Sequence, residues 1–315
     1  MSQERKQRKQ PDTDINNVAL VGASGNLGPA VVEAFLKDGG FNVTAISRQE
    51  SKATFPNGVK VIKADLTNTE SITKAFEGQD AVILIVGASE LAGQKKYIDA
   101  AIAAGVKRFI PSEFGSDISD PEIVKLVPIF QPKVEATEYL KSKESETFSW
   151  TSVTTGPFFD WGLKVGFLGF DLNKKEAKIW DGGNVPFSTT NLSCIGEALT
   201  RILAPDYAPD TRNKQVYIES HTTTQKKILE ILQKLGGPDT KWTVEKVDGT
   251  KVFKEARAKI EGGDVGPGSI YPAIQALAFG EEYAHADHSK KSWNGRLEMP
   301  NEDLEGDIKA VLKSI

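Results

Sequence analysis

The sequence predicts an α/β fold: a doubly wound parallel sheet joined to a smaller C-terminal α/β domain. Three observations predict it. Apolar strands and amphipathic helices alternate through the first half of the chain, the order that builds a parallel sheet with right-handed crossovers and helices on both faces. The first strand runs into a glycine-spaced turn and then a helix, in the run VALVGASGNLGPAVVEAFLKDGG. After Gly156-Pro157 the alternation gives way to PFFDWGLKVGFLGFD, rich in aromatic residues and glycine, where a second domain begins. With 315 residues the chain has the length of about two domains.

Each element has a local reason. Asn17 to Val21 (NVALV) reads as a buried strand, and Val31, Val32, Phe35 and Leu36 recur at helical spacing until Gly39-Gly40 stops the helix. Asn42 to Ser47 and Val59 to Ile62 read as strands, and Thr69 to Phe76 as a helix begun by threonine. Asp80 to Val86 (DAVILIV) is a central strand, followed by a helix over Gln94 to Ala104 and a strand at Arg108 to Ile110. Pro128 to about Lys143 is the next helix and Phe148 to Val153 a further strand. Thr224 to Leu235 is a helix capped by threonine and stopped by Gly236-Gly237-Pro238, and Leu304 to Leu312 is a final amphipathic helix. The rest of Lys241 to Ile315 is less regular. Residues 15–157 thus form a nucleotide-binding domain, with a contribution from about 187–222, and 158–315 mainly a substrate-binding domain.

Composition narrows the function classes. A formal charge of −4 argues against general nucleic-acid or membrane binding and leaves small molecules as the partners. The single cysteine, Cys194, fits a reducing, cytoplasmic compartment and sits in an apolar stretch as a buried structural thiol. The longest apolar run, AVILIVGA, falls far short of the roughly 20 residues of a membrane span. Met1 to Asp14, with Arg5, Lys6, Arg8 and Lys9, is too polar to bury apolar area and is expected to be a disordered tail, a nuclear-localisation signal being the other reading.

The glycine turn points to a dinucleotide. Gly22 permits the tight turn, Gly25 the close approach of a pyrophosphate, and Gly28 the packing of the helix, so the loop Gly22, Ser24, Gly25, Asn26, Leu27 and Gly28 is the candidate phosphate cradle of a Rossmann domain. About 20 residues further on, the end of the second strand faces the adenosine ribose. Arg48 stands there, and a guanidinium matches a 2′-phosphate where an acidic residue would take a 2′-hydroxyl, so NADP(H) is the expected cofactor, with Ser47, Ser51 and Lys52 as helpers. Asp65, ending the third strand, is placed for the adenine side, although aspartate is also a good turn residue.

GASGNLG, the AISR strand end, GQKKYIDAAIAAGVKRFIPSEFGSD from Gly93 to Asp117, and Lys133 in the helix after it together resemble the isoflavone reductase-like group of the NmrA-like family. These are atypical short-chain dehydrogenases that include phenylcoumaran benzylic ether and pinoresinol-lariciresinol reductases; the chain looks like a fungal or microbial branch. The resemblance implies that Lys133 is the catalytic general acid or base and contacts the nicotinamide ribose; a lysine that only positions cofactor is the other reading. A lysine serves as acid or base if burial or a neighbouring positive charge lowers its pKa. Four residues before Lys133 stands Ile129, where related dehydrogenases carry tyrosine. Tyr139 and Lys143 have the tyrosine-lysine spacing but lie two to three turns on, about 9 to 15 Å away. Ser112 and Glu113 stand either beside the nicotinamide or in a structural SEFG turn in which Phe114 packs.

Outside this set, Phe158 and Phe159 are the candidate substrate-pocket residues, with Trp161, Phe167 and Phe170 either pocket or core. His285 and His288 could share a helix face, but no third metal ligand of suitable spacing accompanies them, so they are expected to be solvated; His221 is expected to bond locally. The expectation is an NADPH-dependent reductase of a small aromatic or conjugated substrate, an enone, quinone or benzylic ether. The alternative is a non-catalytic NADP(H)-sensing regulator, and a homodimer stays open.

Overall fold

The computed structural model describes residues 14–315; residues 1–13, which carry the expected polar tail and its basic residues, lie outside the described residues. In chain order the elements are β1 (Asn17–Val21), α1 (Gly28–Asp38), β2 (Asn42–Arg48), β3 (Lys60–Ala64), α2 (Thr69–Phe76), β4 (Ala81–Leu84), α3 (Gln94–Ala103), β5 (Arg108–Ile110), α4 (Pro121–Leu126), α5 (Gln131–Ser142), β6 (Ser149–Thr154) and α6 (Phe159–Lys164). There follow β7 (Phe170–Asp171), β8 (Glu176–Trp180), β9 (Phe187–Thr189), α7 (Leu192–Leu203), α8 (Ala208–Thr211), β10 (Lys214–Tyr217), β11 (His221–Thr223), α9 (Gln225–Gly236), β12 (Thr243–Val247), α10 (Gly249–Glu261), α11 (Pro267–Phe279) and α12 (Leu304–Lys313). They fall into two compact units, one of residues up to Ser112 with Glu135–Ser152 and Gly196–Val216, the other of Glu113–Val134, Val153–Ile195 and Tyr217–Ile315.

The first unit is built on a seven-stranded sheet in the order β10-β6-β5-β4-β1-β2-β3. β1 lies parallel to β2 on one side and to β4 on the other, so the strand order reverses at β1 and β4. These strands form because they are covered on both faces: β4 is buried at every residue and β1 at all but its first, which is why they read as unbroken apolar runs. Phe76, Tyr97, Ile98 and Phe109 fill one core layer with residues of β1, β2 and β4. α2 begins at Thr69 as expected, and the residue before it supplies the cap: the Asn68 carboxamide oxygen accepts from the Ser71 amide at 3.1 Å. Arg108 is fully buried and stitches β5 to its neighbours, donating to Ser149, Thr151 and Thr211 hydroxyls and the Ala208 carbonyl. α7, absent from the sequence reading, lies so close to α1 that a Cβ on Gly196 would sit 2.8 Å from the Ala30 carbonyl oxygen.

The second unit has a three-stranded sheet, β12-β8-β7, and an antiparallel pair, β11-β9. β12 runs parallel to β8 and β7 antiparallel to it. Its core gathers Phe159 and Leu163 of α6, Trp180, Phe187, Ile228 and Leu232 of α9, Phe253 of α10, Phe279 of α11, and Ile308 of α12. The segment beyond Lys241, read as less regular, therefore holds β12, α10 and α11 in addition to the expected α12. α11 carries Gly268 and Pro272 near its start, which disguise a helix that is otherwise buried from Ala276 to Phe279. No helix among the described residues is long and apolar enough to cross a membrane.

Candidate active site

In the first unit, the chain leaves each parallel strand into a loop at the same edge of the sheet, and the expected nucleotide residues occupy these loops. Gly22 has φ +91°, and a Cβ there would meet the carbonyl oxygen of Ile85, just past β4, at 1.9 Å. The loops leaving β1 and β4 thus touch at the point where the strand order reverses, the place where such sheets bind ligands. Gly28 is equally constrained, since its Cβ would lie 2.3 Å from Ala23 backbone atoms. Gly25 is different: it is exposed, and its Cβ would come no nearer than 3.3 Å to the Gly22 carbonyl oxygen. Packing dictates two of the three glycines and leaves the third as bare, approachable backbone. Ser24 and Asn26 are exposed beside it, whereas the Leu27 side chain is buried and only its backbone faces the loop. No side chain caps the start of α1 and no acidic residue stands in its first turn, so its end retains its attraction for an anion.

Arg48 closes β2 with its side chain 71% exposed; its guanidinium meets Glu50 at 3.4 Å. Asp65 serves its own turn: its carboxylate accepts from the Thr67 amide and hydroxyl at 2.9 and 2.6 Å, and these bonds hold its pKa below the usual range. The loops after β4 and β5 are tied by Ser112, whose hydroxyl accepts from the Val86 amide and donates to the Val86 carbonyl. Gln94 accepts from the Ser112 amide at 2.9 Å and is itself enclosed, a role that its place as second residue of the GQKKY string does not announce. Tyr139 donates to Asp99 at 2.6 Å, a bond that raises its pKa, and Lys143 lies over its ring. That pair is spent on a surface contact.

In the second unit, Lys133 stands near the start of α5, 8% exposed, and its ammonium donates to the backbone carbonyl of Glu113. Burial drives the lysine pKa down, while the charge of Glu113 pulls it up. Glu113 is 3% exposed, and burial pushes its carboxyl up to about 7 against the opposing pull of Lys133. Phe114, expected to be the packed residue of SEFG, is only half-buried, so the burial order in that turn is the reverse of the one its composition implies.

Phe158 is half-buried and stacks edge-on to Trp161 at 6.3 Å. Phe159, expected beside it on a pocket wall, is fully enclosed in the core and edge-on to the His221 ring at 5.1 Å, because α6 turns it inward. Phe170 is likewise core. The histidines also depart from expectation. His221 bonds Asp307, far along the chain, at 2.7 Å, and His285 bonds Asp120 at 2.9 Å. His288 is buried, not solvated; its Nε2 lies 3.0 Å from the Ile218 carbonyl, and burial lowers its pKa. His285 and His288 lie outside any helix and turn to different partners. Near His288, Tyr217 donates to Asp117, which also takes Lys291 at 2.7 Å, and burial pushes the Glu219 carboxyl up to about 7. No spacing signal in the sequence could assemble that group, since its members come from three separate segments.

A doubly wound sheet with a glycine loop at its reversal point defines the class of dinucleotide-type α/β proteins. The chain belongs to the NmrA-like family, whose model matches residues 15–261. It is 35% identical to the oxidoreductase aprR of Aspergillus flavus over 94% of this chain and 98% of that protein. It is 30% identical to the phenylcoumaran benzylic ether reductase Betv6 of Betula pendula over 72% of this chain and 79% of that protein. Among solved structures, that of AtPrR2 with NADP+ and (+)pinoresinol superposes with a TM-score of 0.74 at 20% identity, covering 95% of this chain and 99% of that one, a likeness of fold.

Proposed function

We propose that the protein is an NADPH-dependent reductase of a small aromatic or conjugated substrate, with Lys133 as its general acid or base. Gly25, bare and exposed at the uncapped start of α1, fits a pyrophosphate, and Arg48 fits a 2′-phosphate. In this reading Asp65 helps at the adenine side, Lys133 also meets the nicotinamide ribose, and Phe158 lines the pocket. The bound nicotinamide supplies the hydride. The chain supplies position and the proton: an N–H bond of the Lys133 ammonium breaks as the proton passes to the substrate atom that has gained charge. The observation that carries the reading is Lys133 itself, a lysine enclosed to 8% exposure and held by the Glu113 carbonyl, whose burial lowers its pKa and so makes the ammonium a readier proton donor. The name of the Aspergillus flavus relative, an oxidoreductase matched along nearly its whole length, supports it. A cytoplasmic setting accords with the lone, buried Cys194.

The test is oxidation of NADPH by the purified protein with a panel of aromatic enones, quinones and benzylic ethers. Lys133→Ala should lower kcat/KM on the order of a hundredfold or more. Tight NADPH binding without turnover on any panel member would replace the reductase with a sensor.

A further inference from the structure

We infer that Glu113 is a positioning residue for Lys133: its buried carboxylate keeps the lysine in the ammonium form that delivers the proton. The inference rests on the proposed role of Lys133. Its first support is that Glu113 is 3% exposed and neither carboxylate oxygen has a hydrogen-bond partner among the described residues. A buried acid without partners is costly, and such groups persist where a function uses them. A second support is that the Lys133 ammonium is held by the backbone carbonyl of the same residue, so the carboxyl belongs to the residue that anchors the amine.

Little else acts on the pair. The ring of Phe130 presents its centroid 5.7 Å from Lys133 Nζ, and Glu113 and Lys133 are the charges that act on one another. Burial favours the neutral form of each group and mutual attraction favours the charged form of each, so the two titrate as a unit. The zwitterion and the neutral pair hold the same number of protons and differ in where one proton sits. Removing the carboxylate leaves burial opposed only by the Glu113 backbone carbonyl and the Phe130 ring, both of which Glu113→Gln retains, and the amine then sheds its proton at lower pH.

The experiment uses the full chain labelled with 13C at lysine Cε, without cofactor, the Lys133 signal being assigned by its loss in Lys133→Arg. Glu113→Gln should lower the Lys133 titration midpoint by at least about one pH unit, about tenfold in the protonated fraction at fixed pH, and Glu113→Asp should restore most of it. In the turnover assay Glu113→Gln should move the alkaline fall of kcat to lower pH by a similar amount. A Lys133 midpoint unchanged in Glu113→Gln overturns the inference. If that variant does not fold, the wild-type signal decides: a second inflection at the Glu113 titration supports the pairing, and its absence overturns it. Turnover on no panel member with the coupling intact sinks the reductase reading and this role with it. Turnover with no coupling sinks this role alone.

Discussion

At the scale of single residues, the glycine loop separates what folding requires from what a ligand requires. Gly22→Ala forces a Cβ against the Ile85 carbonyl from a left-handed backbone, so it should cost roughly 1–3 kcal/mol or more, read as a fall in Tm. Gly25→Ala meets only a 3.3 Å neighbour. It should leave Tm nearly unchanged and weaken NADPH by at least about tenfold, roughly 1.4 kcal/mol; equal losses of stability in the two variants would deny Gly25 its ligand role. Glu219 yields a pH prediction. Its carboxyl titrates at about 7 in the fold against 4.5 in its absence. Stability is therefore fully present below 4.5, where the group is protonated in both states, and is lost as pH rises through about 7, because the fold must then hold a desolvated charge. Glu219→Gln should flatten that decline, by an upper figure of about 3 kcal/mol, in Tm measured from acid to neutral pH. An unaltered slope would mean that the carboxyl is ionised at no cost.

At the scale of elements, two junctions carry measurable energy. Asn68→Ala removes the oxygen that caps α2 and should cost about 1 kcal/mol. Gly196→Val places a branched side chain where α7 meets α1 at 2.8 Å and should cost about 1–3 kcal/mol in urea midpoint; a neutral Gly196→Val would show that the helices separate freely. The same elements show what a sequence displays and what it hides. β1 and β4 were legible because strands buried on both faces are nearly unbroken apolar runs between glycine or polar stops. α7 was not, because Gly196, there for close helix packing, reads as a break in LSCIGEAL. β12 is exposed at nearly every residue, so TVEKV offers no alternation to find. Of the residues proposed for the site, Gly22, Gly25, Gly28, Arg48 and Lys133 are those that spacing and motif single out. The burial of Glu113 and the inward turn of Phe159 were not legible, because both depend on which way a short turn or helix faces once the core has formed.

At the scale of the whole molecule, a ligand that binds only the folded chain raises its stability by mass action, about 2.7 kcal/mol at a hundredfold excess over Kd. NADPH should therefore raise Tm more than equimolar NADH does, and Arg48→Glu should abolish the difference; identical shifts in the wild type would remove the 2′-phosphate assignment. The two units are not consecutive pieces of chain. The first takes its last residues from Gly196–Val216, after the chain has supplied Val153–Ile195 to the second. A fragment ending at Gly156-Pro157 lacks α7 and β10 and leaves β6 at the sheet edge without its neighbour. Such a fragment should aggregate, whereas the full chain should not.

That interleaving also sets a timetable for synthesis. A ribosome releases the chain from its amino end, so the seven-stranded sheet waits for its edge strand until residue 217 has emerged, long after β1 to β6 are free to pair. During that interval the nascent protein carries an open β6 edge of the kind chaperones shield, and slower translation through the segment between Val153 and Lys214 lengthens its exposure.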